Sequence, residues 1–304
     1  MSITEITSTG ASVLDVIEGA LGRADYSAPG IRIYNQDCLL AMKKLPKGLV
    51  DLTVTSPPYN IGKEYERKLD LETYLTWCET WICEIYRLSS GRGAFWLNLG
   101  YVEKPGIARA IPIPYLLWER VPFLLMQEIV WHYGAGVASR LSFSPRNEKF
   151  LWYVKDESDY VFNLDDVRDR AVKYPNQKKN GKLKCNPLGK NPTDVWLFPK
   201  VTSGTDRSSP ERTEHPAQFP VAVIERIIKA CSKPGDIVMD PFMGSGTTAL
   251  VAVQLGRPVV GFELNAAYVD ITARRLESLF HEQRIQSSQP QLFEGIDCNQ
   301  LELG

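Results

Sequence analysis

The chain has 304 residues, 44% of them hydrophobic, and a formal net charge of −1. That is enough for a sizeable core in one large or two smaller domains, and it excludes disorder of the whole chain. No apolar run is long enough to span a bilayer and no secretory leader pattern opens the chain, so a cytoplasmic protein with no membrane partner is expected. Six cysteines without a Cys-x-x-Cys pair, beside three histidines, suggest neither a disulfide framework nor a metal site.

Residues 1–28 read as an N-terminal arm with one helical pattern, Val13 to Leu21. Ile31 and Ile33 alternate with polar neighbours as a strand leading to Asp37 and Cys38, and Leu39 to Leu45 reads as a short helix closed by Pro46. The apolar run Val50 to Thr55 is a buried strand that stops at Ser56. Past the charged segment Ile61 to Leu71, Glu72 to Leu88 is an amphipathic helix whose Tyr74, Trp77, Trp81 and Ile85 recur at spacings of three and four. Those aromatics are expected in the core. Gly93 to Gly100 is a buried strand, a helix surrounds Pro114 to Arg120, and Leu124 to Tyr133 and Glu148 to Val154 are further strands. The loop between the last two, Gly134 to Arg146, carries Arg140 and Arg146.

From 163 to 212 hydrophobic periodicity fades. Between Arg168 and Lys190 eight basic residues, including Lys178, Lys179 and Lys182, stand against the single acid Asp169. Irregular stretches of this length inside a fold are uncommon unless functional, and a local basic surface suits phosphate contact despite the neutral total. Helix Val221 to Ala230, strand Asp236 to Asp240, helix Thr247 to Leu255, strand Val259 to Glu263 and helix Ala266 to Leu279 follow, then a polar tail. This alternation predicts an α/β fold, a three-layer sheet with helices on both faces.

Two segments carry the chemistry. Thr55-Ser56-Pro57-Pro58-Tyr59-Asn60 ends a strand in a turn whose prolines fix φ, which can aim a hydroxyl, a carbonyl and an aromatic face at one point. Asp240-Pro241-Phe242-Met243-Gly244-Ser245-Gly246-Thr247-Thr248 turns from a strand through two glycines into a helix, a geometry suited to a nucleoside cofactor. A phosphate loop is a poor match, since no lysine follows the glycines. Together the segments resemble the signature of the S-adenosylmethionine-dependent DNA amino-methyltransferases. With Ser56 before Asp240 and a long insert between, the order is similar to that family's permuted beta class, over roughly Ile31 to Leu279.

The resemblance implies a Rossmann-like methyltransferase sheet with an inserted target-recognition region: catalytic half 29–162, insert 163–212, cofactor-binding half 213–283 and tail 284–304. It implies S-adenosylmethionine as cofactor. Asp37 and Cys38 would meet its adenine, Glu263 its ribose, and Asp240 its ammonium. Phe242, Gly244, Ser245, Gly246 and Thr247 would complete that pocket, with Ser56 at its border and the segment His215 to Phe219, including Gln218, closing over the methionine moiety. Ser56, Pro57, Pro58 and Tyr59 would form the catalytic turn.

Ser56 Oγ and the Pro57 carbonyl are the natural acceptors for the two N–H bonds of an exocyclic amine, and Tyr59 can stack on its ring. A base within double-stranded DNA must be flipped out to reach such a turn. An aromatic from Trp131-His132-Tyr133 at the end of its strand, Trp131 first among them, is expected to supply a second stacking face, and Arg140, Arg146, Lys178, Lys179 and Lys182 to contact DNA. Ser56 stands where many adenine enzymes carry Asp or Asn and so pulls toward cytosine N4. Tyr59-Asn60-Ile61-Gly62 is more like the adenine-modifying subset, and adenine N6 is the lead reading. Two further readings stay open: methylation of RNA or a protein amide, and a DNA-binding regulator with a vestigial pocket. The resemblance also permits a homodimer and a cognate restriction enzyme as partners.

Overall fold

Alternating side chains along the strands are dealt to two cores, one on each face of a central sheet. The computed structural model describes residues 12–62, 68–134, 136, 138–201 and 209–288. The first eleven residues of the expected arm, and the tail beyond residue 288, lie outside the described residues. Strands β1 (Tyr26–Ala28), β2 (Ile31–Tyr34), β3 (Val50–Thr55), β4 (Ser89–Leu99), β7 (Leu124–His132), β8 (Asn147–Val154), β11 (Val195–Leu197), β12 (Val238–Asp240) and β13 (Val259–Phe262) form one sheet. Its order is β1-β2-β13-β12-β3-β4-β8-β7-β11. β1 and β8 run antiparallel to their neighbours, and the other pairings are parallel.

One face buries Tyr34, Phe95, Leu97, Leu99, Leu151, Tyr153, Met239, Val260 and Phe262 beneath helices α1 (Val13–Leu21), α2 (Cys38–Met42), α3 (Leu71–Leu88) and α4 (Ile113–Leu116). The other buries Ile31, Ile33, Leu52, Val54, Trp96, Phe150, Trp152, Val238 and Val259 beneath α6 (Val221–Cys231), α7 (Thr247–Gln254) and α8 (Ala266–Ser288). This is the expected three-layer arrangement. A short helix, α5 (Leu164–Val167), precedes the basic stretch.

Local chemistry sets the ends of these helices. Ser12 and Asp15 form a reciprocal capping box on α1, and the Asp70 carboxylate caps α3 by accepting from Thr73 N at 3.0 Å. Along α3, Trp81, Ile82, Ile85 and Leu88 are fully buried, each stabilising the fold by roughly 1.5–3 kcal/mol.

The structure departs from the expected elements at four places. The described part of the arm is integral: Leu14 and Ile17 of α1 are buried and β1 extends the sheet. The helix after Gly100 is only Ile113–Leu116, preceded by a hairpin of β5 (Tyr101–Lys104) and β6 (Ala108–Pro112). The basic stretch contains a second hairpin, β9 (Lys178–Lys179) and β10 (Lys182–Leu183), turned at Asn180 and Gly181 with φ of 52° and 77°. Finally, β11 inside the expected insert pairs in parallel with β7, so that region returns to the main sheet.

Candidate active site

The two motifs, far apart in sequence, end neighbouring strands. β12 pairs with β3, Val238 opposite Leu52 and Met239 opposite Thr53. From β3 the chain passes through α3 to β4 on one side, and from β12 through α7 to β13 on the other. The crevice between β3 and β12 is therefore a topological switch point at the carboxyl ends of parallel strands, where ligands of such sheets bind.

A buried hydrogen bond ties the motifs together. Thr55 Oγ1 donates to Asp240 Oδ1 at 2.6 Å, across 185 residues of sequence. Thr248 Oγ1, from the first turn of α7, donates to Asp240 Oδ2 at 2.7 Å, and Phe242 N donates to Oδ1 at 3.1 Å. Burial nevertheless pushes the Asp240 carboxyl up to about 6, because these donors only partly offset its desolvation. A carboxylate held at this price of desolvation favours an arriving cation.

Glu263, just past β13, is raised by burial as well. It bridges two backbone donors, Gly244 N on Oε2 at 2.8 Å and Asn265 N on Oε1 at 2.8 Å. Each carboxylate oxygen has a second lone pair for a hydroxyl. Asp37 caps α2, accepting from Leu40 N at 2.9 Å, and faces the same crevice. Burial raises the Cys38 thiol well above its ordinary range, so it acts as a small apolar wall.

These groups line one cavity of about 250 Å³, which Ser56, Pro57, Pro58, Tyr59, His215, Phe219, Phe242, Ser245 and Thr247 also line. The turn after β3 is held from outside. Tyr74 Oη of α3 donates to the Pro58 carbonyl at 2.6 Å, and Tyr59 Oη donates to Asn98 Oδ1 at the end of β4. Asn98 is locked in turn by donating to Lys149 O at 2.9 Å. Asn60, at φ 60°, donates to Leu69 O and accepts from Leu69 N, holding Leu69 beside the turn.

His215 lies against the glycine turn, its Nε2 2.9 Å from where a Gly244 Cβ would stand, and packs edge-on to Tyr268 with centroids 4.4 Å apart. Burial, with Arg275 nearby, lowers it to about 4, so it is neutral at pH 7. Its Nδ1 accepts from Ala217 N at 3.3 Å, which leaves the proton on Nε2.

Three of the expected site residues sit elsewhere. Trp131 is 2% exposed, with Nε1 donating to Phe198 O at 2.7 Å, so it is a core side chain and no stacking face. Gln218 is buried outside the cavity; its Oε1 accepts from Thr213 N at 2.9 Å and its amide donates to Glu211 O, bracing the loop that carries His215. Gly246, at φ 75°, packs against α8, where a Cβ would meet Thr272 Cγ2 at 2.5 Å, so it admits a helix and does not face the cavity. Arg140, Lys178, Lys179 and Lys182 are exposed on loops or the β9–β10 hairpin, away from the cavity lining. Arg146 is half-buried at the base of the β7–β8 loop.

Sequence reasoning missed Trp77 and Arg275. Trp77 was expected in the core but lines the cavity, edge-on to Phe242 at 5.7 Å. Arg275 Nη1 donates to Ser245 O at 2.6 Å and Thr247 Oγ1 at 3.0 Å, clamping the glycine turn from α8. A helix face of period 3.6 marks Trp77 as inward but cannot say that a cavity lies there. Among the described residues no cluster of His, Cys, Asp and Glu could hold a metal ion, and no helix is long and apolar enough to cross a membrane.

A family model described as DNA methylase, for N6 and N4 methyltransferases, matches residues 50–274. The type II methyltransferase M.ScaI of Streptomyces caespitosus is 63% identical over 262 residues, 86% of each chain. The DNA adenine methyltransferase YhdJ of Escherichia coli K12 is 34% identical, over 82% of this chain and 83% of its own. Among solved structures, the cytosine-N4-specific PvuII DNA methyltransferase superposes with a TM-score of 0.64 at 20% identity, covering 85% of this chain and 93% of that one.

Proposed function

The chain belongs to the DNA methylase family, and on that premise we propose that it transfers a methyl group from S-adenosylmethionine to the exocyclic amine of a base turned out of double-stranded DNA. The observation that carries this reading is the Thr55–Asp240 bond, which puts the Ser-Pro-Pro-Tyr turn and the glycine turn on one cavity. S-adenosylmethionine, when bound, supplies a methyl group already activated on a positively charged sulfur. The cavity suits it: a buried carboxylate inclined toward a cation, a second carboxylate beside the glycine turn, and an aromatic wall from Trp77, Phe242 and Phe262.

The protein's part is placement. Asp240 would accept from the ammonium, Glu263 from the ribose hydroxyls and Asp37 from the adenine amine. Ser56 Oγ and the Pro57 carbonyl would accept the N–H bonds of the target amine, favouring a tetrahedral nitrogen whose lone pair points at the methyl group. The proton that the amine loses on methylation would pass to solvent by way of the Ser56 hydroxyl, which can accept it while giving up its own, and the Pro57 carbonyl would only orient the second N–H. Tyr59, fixed on Asn98, would stack on the base. With Gly100 changed to alanine, a Cβ 2.5 Å from Tyr59 Cδ2 must displace that ring. Initial rates of the Gly100→Ala variant are expected to fall at least tenfold with cofactor affinity unchanged, and melting should show a loss of about 1–3 kcal/mol.

The lead reading for the base is adenine N6, supported by the adenine specificity in YhdJ's name. Ser56 favours cytosine N4 as the second reading. Incubation with unmethylated bacterial DNA and S-adenosylmethionine, then nucleoside digestion and mass spectrometry, decides between them: N6-methyladenine is expected, N4-methylcytosine would establish the second reading, and methylation of neither base would reject the DNA reading.

In the same reading the stretch 163–212 is the target-recognition region, and its exposed Lys178, Lys179 and Lys182 meet phosphates from the β9–β10 hairpin. Replacing all three with alanine is expected to weaken DNA binding and to reduce the log–log salt slope by about 2–3, which a salt titration measures. A cytoplasmic location, a homodimer and a cognate restriction enzyme complete the proposal; sedimentation tests the dimer.

A further inference from the structure

We propose that Phe143, at the tip of the β7–β8 loop, enters the DNA duplex and fills the space vacated by the target base; this rests on the DNA reading proposed above. Phe143 is 100% exposed and Leu141 88%. Single exposed apolar residues are ordinary, but this pair projects from a loop built to present it. Ser139 Oγ accepts from Leu141 N at 3.3 Å and Ser142 N at 3.1 Å and shares a bond with Ser142 Oγ at 2.8 Å. Ser139 N donates to Ser144 Oγ at 2.9 Å, closing the tip. Three serines thus satisfy the backbone locally while the ring points to solvent.

The base of the loop is anchored. Tyr133 N donates to Arg146 O at 3.1 Å and Tyr133 Oη to Asn147 O at 3.3 Å. Lys200 stands 3.9 Å from the Tyr133 ring centroid and pairs with Glu148. Parallel strands fix its position: β7 runs in the same direction as β3 and β4, so the loop leaves the sheet at the end where Ser56 lies. Its returning strand β8 pairs with β4, placing Phe150 opposite Asn98, the residue that holds Tyr59.

Charge selects the partner. Arg140, exposed beside the apolar tip, suits a phosphate next to an inserted ring, while Arg146 at the base of the loop donates from Nη1 to Pro145 O at 3.0 Å. Turning a base out breaks its stacking, and an apolar wedge between base steps restores contact in the gap. An aromatic face stacks on any neighbouring base, so the device needs no sequence preference.

The test compares the wild type with Phe143→Ala and Phe143→Trp on two duplexes carrying the methylation site mapped by sequencing DNA the wild type has modified. One duplex is fully paired; in the other the residue opposite the target base is abasic, so turning out is already easy. Phe143→Ala is expected to lose about tenfold or more in kcat/KM on the paired duplex and less than threefold on the other. Its melting temperature and cofactor affinity should be unchanged, and Phe143→Trp should retain activity. Equal rates for Phe143→Ala and wild type on the paired duplex would overturn the proposal, as would an equal loss on both duplexes. A change in sedimentation accompanying the loss would overturn it in favour of a contact between copies of this chain. Failure of the wild type to modify any DNA in the mapping step would remove the DNA reading and this proposal with it, an outcome distinct from any comparison of variant rates.

Discussion

Ser56→Ala is expected to lower kcat about a hundredfold while leaving S-adenosylmethionine affinity within about twofold. The turn that carries Ser56 is held by Tyr74 on the Pro58 carbonyl and by Tyr59 on Asn98, neither of which involves the serine hydroxyl. Removing Oγ therefore leaves the turn in place and deletes an acceptor that matters most when the amine becomes tetrahedral. Loss of one preorganised hydrogen-bonding group aimed at a transition state typically costs about 2.7–4 kcal/mol, or 10²–10³ in rate. Single-turnover rates with saturating cofactor, alongside calorimetric cofactor binding, separate the two effects. A parallel loss in both would show that Ser56 shapes the cofactor pocket and does not polarise the amine.

The parts of this site that were legible in the sequence are those written in contiguous residues. The strand Val50–Thr55 and the turn after it, the glycine turn before Thr247, and the alternation of strand and helix after Val221 all carry their signals within a dozen residues. What joins them does not. The Thr55–Asp240 bond spans 185 residues, and the Tyr59–Asn98 and Tyr74–Pro58 bonds depend on how the single crossover from β3 through α3 to β4 brings strand ends and helix together.

Sequence alone does not place Trp131, because an aromatic ending a strand looks the same whether it stacks on a ligand or fills a core. Its partner, the Phe198 carbonyl, belongs to the segment after β11. That strand is three residues long, too short for a period of two to register. The β9–β10 hairpin did have a sequence mark, Asn180-Gly181, the pair that supplies two left-handed residues for a tight turn. Its two-residue strands offered no alternation to go with it.

Asp240 invites a paired substitution, because it serves fold and cofactor through the same atoms. Alanine would strand two buried hydroxyls, Thr55 and Thr248, and the Phe242 N–H without an acceptor. At about 1–3 kcal/mol for each unsatisfied group, the expected loss of stability is about 3 kcal/mol or more. Asparagine keeps one acceptor oxygen for Thr55 and Phe242 and presents an amide to Thr248, whose hydroxyl can turn to accept. Its stability should lie within about 1 kcal/mol of wild type, yet it has no charge for an ammonium. Cofactor affinity is expected to fall ten- to a hundredfold, in line with about 1.5–3 kcal/mol for a hydrogen bond to a charged group.

The pH dependence follows from the raised carboxyl. With a folded value near 6 against 3.8 for the ordinary group, the folded protein binds a proton between those values that the unfolded chain has already lost. This group therefore favours folding at low pH, and its contribution declines as pH rises through that window. Cofactor binding has the opposite slope, because the ammonium requires the anion. Below about pH 6 binding must expel the Asp240 proton, and affinity should drop about tenfold per pH unit toward the lower value of the bound state. In Asp240→Asn that slope should vanish while the weaker affinity persists at all pH values. Calorimetric titrations of both proteins at pH 5, 6 and 7.5 provide the measurement. A slope that survives in the asparagine variant would assign the titration to another group and leave Asp240 only its role of joining β3 to α7.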